Sequence, residues 1–311
     1  MESPPKHKMG TLQLTIITVV NMMGSGIIML PAQLAGVGNI TIISWVLTSM
    51  GAMALAYGFA KCGRYSKNIG GMGGYSQYAF GKSGNMLANY TYAVAIVIAN
   101  VGVAISAVGY FCKVVDIEIG GITTALMTMF FIWLTTLPNF WSSKITGKIG
   151  TVTVWGVIIP VIGIIFIGWY WFKSDIYVAG WNPHQLGFFD ALPQALALTM
   201  WAFLGLESAS ANSDAVENPE KSVPIAVLGG TLFTAIVYII STAVIGGIIP
   251  YETLAISSAP FGLVYAHMFG DGVGKFIEII MCIACLGSLL TWQFTTGQVF
   301  KSCADVGYFY K

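Results

Sequence analysis

Two short stretches combine hydrogen-bonding groups with glycine in the middle of apolar runs. The first is Asn21-Met22-Met23-Gly24-Ser25-Gly26, inside a run from about Leu12 to Leu34. The second is Trp201-Ala202-Phe203-Leu204-Gly205-Leu206-Glu207-Ser208. About 20 apolar residues cross the hydrocarbon core of a bilayer, so both stretches fall at membrane depth. Glycine lets a chain leave helical geometry cheaply. A break there frees backbone N–H and C=O groups, which are tolerated in a membrane only against protein or a water-filled cavity. Interrupted helices at the midplane thus make a natural ligand site, while a glycine packing face between helices is the alternative. Glu207 adds a charge to the second stretch. A carboxylate at the bilayer centre costs about 2.5–3.5 kcal/mol on insertion scales. A bound cation or proton offsets that cost in one reading, and neighbouring hydroxyls and amides in the other.

The elements that must position these groups are membrane helices. Hydrophobic residues make up 56% and charged residues 9% of the chain, where a soluble domain carries about 25% charged. The composition predicts an all-α polytopic membrane protein with the lipid bilayer as its surroundings. A net charge of +1 with no basic tail gives no reason to expect nucleic acid. Spans are predicted near residues 11–35, 40–60, 86–112, 121–139, 149–172, 189–213, 224–249 and 274–298. The stretch 61–85, with Gly70-Gly71-Met72-Gly73-Gly74, reads as a loop or interfacial segment. It lacks the lysine and hydroxyl of a phosphate-binding loop.

Orientation follows from the basic residues. With the N-terminus inside, the inner segments hold Lys6, Lys8, Lys61, Arg64, Lys67, Lys82, Lys144, Lys148, Lys221, Lys301 and Lys311, and the outer ones only Lys113, Lys173 and Lys275. This positive-inside bias predicts both termini in the cytoplasm. The first apolar run reads as a retained helix and not a signal peptide. Interruptions in the first and sixth spans predict a five-plus-five inverted repeat of the LeuT-like kind, in which the two breaks meet at the midplane. The first repeat covers about 11–172 and a partial second repeat about 189–298, within one transmembrane domain, 1–311.

Catalytic and cofactor chemistry find no support. His7, His184 and His267 make no metal-ligand spacing, and no H-E-x-x-H occurs. Cys282 and Cys285 have C-x-x-C spacing with no second pair, and read as small packing residues in a span. No metal, cofactor or catalytic residue is expected.

Five stretches carry a resemblance to a known family. They are Asn21 to Ile27, Gly71-Met72-Gly73-Gly74-Tyr75, Trp155-Gly156-Val157-Ile158-Ile159-Pro160, Trp201 to Ser208, and Glu217-Asn218-Pro219-Glu220. With these the chain resembles the amino acid–polyamine–organocation transporters, and among them the bacterial putrescine–ornithine exchangers of the basic amino acid/polyamine antiporter group. The resemblance implies antiport of putrescine against ornithine, and putrescine uptake with protons, across the cell inner membrane. Lysine–cadaverine and arginine–agmatine exchangers share most of the motifs and remain alternatives. Two departures stand out. The family runs to twelve spans with a dimer-forming end, so the chain reads as truncated after about eight, and an inactive or split-gene fragment is another reading. The exchangers also have a glutamate where this chain has Gln77.

The residues expected to bind substrate are Asn21, Gly24, Ser25, Gly26, Tyr92, Asn100, Trp201, Glu207 and Trp292. Backbone N–H groups freed after Gly26 suit an amino-acid carboxylate, with Asn21 adding an amide. Glu207 suits the ammonium groups common to ornithine and putrescine. Tyr92, Trp201 and Trp292 offer aromatic faces, over which a cation gains about 0.5–2 kcal/mol; the resemblance makes the two tryptophans substrate-contacting or gating. Asn100 is a polar ligand or an interhelical hydrogen bond.

Overall fold

The computed structural model of the chain describes residues 10–65, 71–140, 143–211, 216–305 and 307. Among them every regular element is helical. The helices are α1 (Thr11–Gly26), α2 (Leu30–Ala35), α3 (Ile42–Tyr65), α4 (Gly71–Val114), α5 (Gly121–Thr136), α6 (Ser143–Thr153) and α7 (Trp155–Ile167). They continue with α8 (Ser174–Ala179), α9 (Phe188–Trp201), α10 (Ser208–Ala211), α11 (Pro219–Ile248), α12 (Tyr251–Ala255), α13 (Pro260–Phe269) and α14 (Asp271–Asp305). Among the described residues, six helical stretches are long and apolar enough to cross a membrane: Asn39–Tyr65, Met72–Val114, Gly121–Phe140, Lys148–Tyr170, Pro219–Ile248 and Asp271–Asp305. The pairs α1–α2 and α9–α10 add two apolar segments, each interrupted in its middle.

The first interruption differs in place from the sequence expectation. Helix α1 continues through Gly24, Ser25 and Gly26, and the helical pattern stops over Ile27–Met29. Proline, not glycine, sets this point. Pro31 sits in the first turn of α2, and its ring would strike the carbonyl four residues back, that of Ile27, if one helix ran through. The glycines lower the cost of bending without fixing where the bend falls. The second interruption covers Ala202–Glu207 between α9 and α10. There Gly205 adopts φ +112°, a conformation that L side chains avoid.

The stretch read as a loop or interfacial segment is largely helical. Helix α3 persists to Tyr65 and α4 begins at Gly71, while residues 66–70 lie outside the described set. Glycine here serves close approach, not disorder. A Cβ on Gly73 would lie 2.2 Å from the Asn89 amide nitrogen, so the segment before Gly81 folds against the one after it. Gly81 makes the turn at φ 62° and ψ −157°.

Helix α14 packs against α4, α5, α6, α7 and α13. Bare glycines let it approach: a Cβ on Gly156 would sit 2.7 Å from the Ile280 carbonyl oxygen. Helix α11 packs on α1 and α3. Trp45, Phe203 and Tyr238, all fully or almost fully buried, form an aromatic cluster behind the second interruption. Their ring centroids are 5.0 Å (Trp45–Tyr238), 5.7 Å (Phe203–Tyr238) and 6.1 Å (Trp45–Phe203) apart.

Candidate functional site

The two interrupted segments meet backbone to backbone. A Cβ on Gly205 would lie 3.0 Å from both the carbonyl carbon and oxygen of Asn21, and 3.1 Å from the Met22 nitrogen. Only a residue without a side chain lets the second break sit on α1 this closely.

Beside that contact lies a cavity of about 370 Å³, bounded by α1, α4, α10 and α14 and lined by Asn21, Asn89, Tyr92, Ser208, Thr291, Trp292, Phe294, Thr295, Gln298, Val299 and Ser302. A second cavity of about 210 Å³ shares Asn21, Thr291 and Trp292 with it and extends to Gly24, Gly150, Thr151, Val154 and Ser288. All the lining side chains of both are uncharged. Glu207 is only 7% exposed and stands directly behind Tyr92. Both its oxygens accept from the Gly205 N–H, at 3.1 Å each, and the Tyr92 hydroxyl donates to Oε1. The break thus orients its own carboxylate, because positive φ at Gly205 turns that N–H toward the side chain two residues on. A carboxylate offers about four lone-pair positions, which leaves acceptor capacity for a ligand.

The expected site residues divide into groups. Asn21, Tyr92 and Trp292 line the larger cavity and Gly24 the smaller. Glu207 reaches the cavity through Tyr92. Trp201 borders neither cavity. It ends α9 and leans on α4, where a Cβ on Gly102 would meet its ring at 3.6 Å. Asn100 takes the interhelical alternative, with its amide 3.4 Å from Thr296 Oγ1 on α14. Ser25 and Gly26 close α1, and their side-chain surroundings lie outside the described residues. The backbone freed at Ile27–Met29, expected to face the ligand, borders neither cavity.

Sequence reading passed over several lining groups. Ser288, Thr291, Thr295, Gln298 and Ser302 recur every three or four residues along α14, the spacing of one helical face. That stripe of polar residues inside a span was the available signal. Asn89 belongs to an amide chain. The Asn85 amide donates to Gln77 Oε1 at 2.9 Å, and the Asn89 amide donates to Asn85 Oδ1 at 3.0 Å and to Ser302 Oγ at 3.1 Å. Gln77 is therefore wired to the cavity wall through hydrogen bonds.

An uncharged, partly aromatic pocket with one carboxylate behind a tyrosine suits a slender organic cation. Comparison with known proteins agrees with that chemistry. The family model described as amino acid permease matches residues 9–311. The chain belongs to that family. This permease is 58% identical to the putrescine transporter PotE of Escherichia coli (strain K12) over 311 residues, which is all of this chain and 71% of the relative. The putrescine transporter PotE of Haemophilus influenzae is also 58% identical, over 307 residues, covering 99% of this chain and 71% of that protein. The cadaverine/lysine antiporter of Escherichia coli (strain K12) is 33% identical over 307 residues, 98% of this chain and 68% of the relative. Membership makes the chain a multi-pass membrane transporter and not an enzyme.

Proposed function

We propose that this permease exchanges putrescine for ornithine across the bacterial inner membrane, and takes up putrescine with protons, as one transmembrane domain with both termini in the cytoplasm. The observation that carries the reading is the 58% identity, along the whole chain, to proteins named putrescine transporter, against 33% to a cadaverine/lysine antiporter. The five-plus-five repeat fits it, since interruptions occur in the first and sixth apolar segments and the second interruption packs on α1 through Gly205 and Asn21. A homodimer is the assembly that the resemblance suggests.

In this reading an ammonium group of either substrate displaces the Tyr92 hydroxyl and shares Glu207 with the Gly205 N–H. The methylene chain lies along Trp292. The additional carboxylate of ornithine is met by the Asn21 amide and by neutral donors on α14, such as Thr291 and Gln298. Both substrates present ammonium to one carboxylate, so they compete, and competition at a single alternating site is what produces exchange. Gln77 in place of glutamate removes one negative charge from the route to the site. Its link to Asn85 keeps the local hydrogen-bond chain intact.

Purified protein in liposomes tests the reading. Labelled putrescine should enter vesicles loaded with ornithine much faster than vesicles loaded with lysine or arginine. Faster entry against lysine would reassign the protein to cadaverine exchange, and no entry in any case would reject transport by this chain.

The aromatic assignment has its own test. Trp292 is 7% exposed and lines both cavities, whereas Trp169 is 52% exposed and meets Phe172 at a tilted 5.3 Å between ring centroids. Trp292→Leu should raise the Kd for putrescine about tenfold, in keeping with a desolvated cation–aromatic contact. Trp169→Leu should leave it within about twofold. Equal changes in the two variants, read by equilibrium binding, would make Trp292 a packing residue only.

A further inference from the structure

A buried hydroxyl on α11 ties the second interruption to the body of α1. Tyr238, on α11, is fully buried and belongs to neither cavity wall. Its hydroxyl donates to the Met22 carbonyl at 2.8 Å and lies 3.1 Å from the Ala202 carbonyl. Met22 follows Asn21 on α1, and Ala202 opens the break that holds Glu207. A phenol has one O–H to donate, so the proton is shared between an oxygen on each interrupted segment.

The Ala202 carbonyl needs this donor. In a continuing helix it would accept from the N–H of residue 205 or 206. The Gly205 N–H is instead turned to the Glu207 carboxylate, and the Leu206 N–H goes to the Phe203 carbonyl. Breaking the helix to aim Glu207 thus strips Ala202 of its backbone partners, and the phenol replaces them. A buried carbonyl without a donor is costly, and the Tyr238 hydroxyl is the donor that lies within reach of it, at 3.1 Å.

We propose that Tyr238 is a positioning residue for the substrate site: its hydroxyl fixes the Asn21 segment and the Ala202–Glu207 segment relative to each other, and so sets the distance between the Asn21 amide and the Glu207 carboxylate. It touches no substrate and acts through two carbonyls. The inference rests on the transport reading above. It goes further in naming a residue outside the cavity on which substrate affinity depends.

The test compares three proteins by KM for labelled putrescine in membrane vesicles, a quantity independent of how much folded protein each yields. Tyr238→Phe keeps the ring against Trp45 and Phe203 and removes only the hydroxyl. Tyr265→Phe is the matched control, because the Tyr265 hydroxyl also donates to a buried carbonyl, that of Pro160 at 3.0 Å, away from both cavities. Tyr238→Phe should raise KM about tenfold, the size of one lost buried hydrogen bond expressed in affinity. Tyr265→Phe should leave KM within about twofold while lowering thermal stability to a similar degree. If the Phe variant does not fold, 4-aminophenylalanine and 4-fluorophenylalanine at position 238 replace it. Both fill the para position, only the amine donates, and the same gap in KM is expected between them. A KM for Tyr238→Phe equal to that of wild type, or equal values for the two analogues, overturns the proposal and leaves Tyr238 a purely structural residue. Wild-type vesicles that show no saturable putrescine transport would instead reject the function on which it rests.

Discussion

Glu207→Gln is expected to weaken putrescine binding by about 2–5 kcal/mol, the range for truncating one partner of a buried, hydrogen-bonded charge pair. The substitution keeps the shape and an oxygen for the Gly205 N–H, now at 3.1 Å from both carboxylate oxygens. What it removes is the negative charge, and it turns an acceptor facing Tyr92 into a donor. Two unit charges about 4 Å apart interact by roughly 4 kcal/mol at an effective dielectric of 20, so charge dominates over any single hydrogen bond. Tyr92→Phe separates the two contributions. It leaves the carboxylate in place and deletes one hydroxyl, worth about 0.5–1.5 kcal/mol. The order expected from equilibrium binding to purified protein is therefore a large loss for Glu207→Gln and a small change of either sign for Tyr92→Phe. Release of Tyr92 from Glu207 is a step that wild type must make and the Phe variant need not. Putrescine binding within twofold of wild type for a folded Glu207→Gln protein would remove Glu207 from substrate recognition.

Much of the architecture was legible because its causes are local. Apolar runs of bilayer length located the long helices, and glycine beside polar residues marked the first and sixth segments as interrupted. Legibility ended where a neighbour in space decides. The first break falls at Ile27–Met29 and not at the glycines, because the ring of Pro31 forbids the turn before it. That argument was available in the sequence, but the glycine pair was the louder signal. The stretch 61–85, with Gly70-Gly71-Met72-Gly73-Gly74, reads as a loop or interfacial segment because it is polar and glycine weakens helices by about 1 kcal/mol each. In the fold, Gly73 is pressed against Asn89, a contact between residues with no visible relation until the chain turns at Gly81. The helices α8, α12 and α13 between the spans went unread, being too short to show a period.

The site was legible in part for the same reason. Asn21, Gly24, Tyr92 and Trp292 line cavities, and Glu207 stands one hydrogen bond behind. Asn100 was named for its depth and Trp201 for the resemblance and its place near Glu207, and none of these says which way a side chain faces. Asn100 points to Thr296 and Trp201 to the surface around Gly102. Tyr238 could not be found from sequence, since a tyrosine inside an apolar span has no local mark that distinguishes a hydroxyl serving two distant carbonyls from one serving none.

Gly205→Ala is the other substitution with a large expected effect, and it tests the contact on which the site is built. Two costs arise at once. The backbone at φ +112° disfavours any L side chain, by about 1–2 kcal/mol even at the better left-handed geometry. The new methyl would also sit 3.0 Å from the Asn21 carbonyl carbon and oxygen, and overpacking of this kind costs about 1–3 kcal/mol. Backbone atoms cannot step aside as the end of a flexible side chain can, so the strain must separate the two segments or twist the break. Either response turns the Gly205 N–H away from Glu207 and lengthens the path from Asn21 to the carboxylate. Together the terms reach about 2–5 kcal/mol, a substantial part of the stability of an ordinary domain. The contrast is Gly24→Ala. Its methyl would lie 3.4 Å from Ser288 Oγ, an ordinary contact, and alanine is favoured over glycine within a helix by about 1 kcal/mol. Melting of purified protein, followed by its retention as a monodisperse species after heating, should therefore fall clearly for Gly205→Ala and hold or rise for Gly24→Ala. Putrescine exchange should be lost in the Gly205→Ala protein even below its melting temperature. A Gly205→Ala protein melting within about 2 °C of wild type and exchanging normally would mean that the second interruption does not rest on α1 at Gly205 in the working transporter.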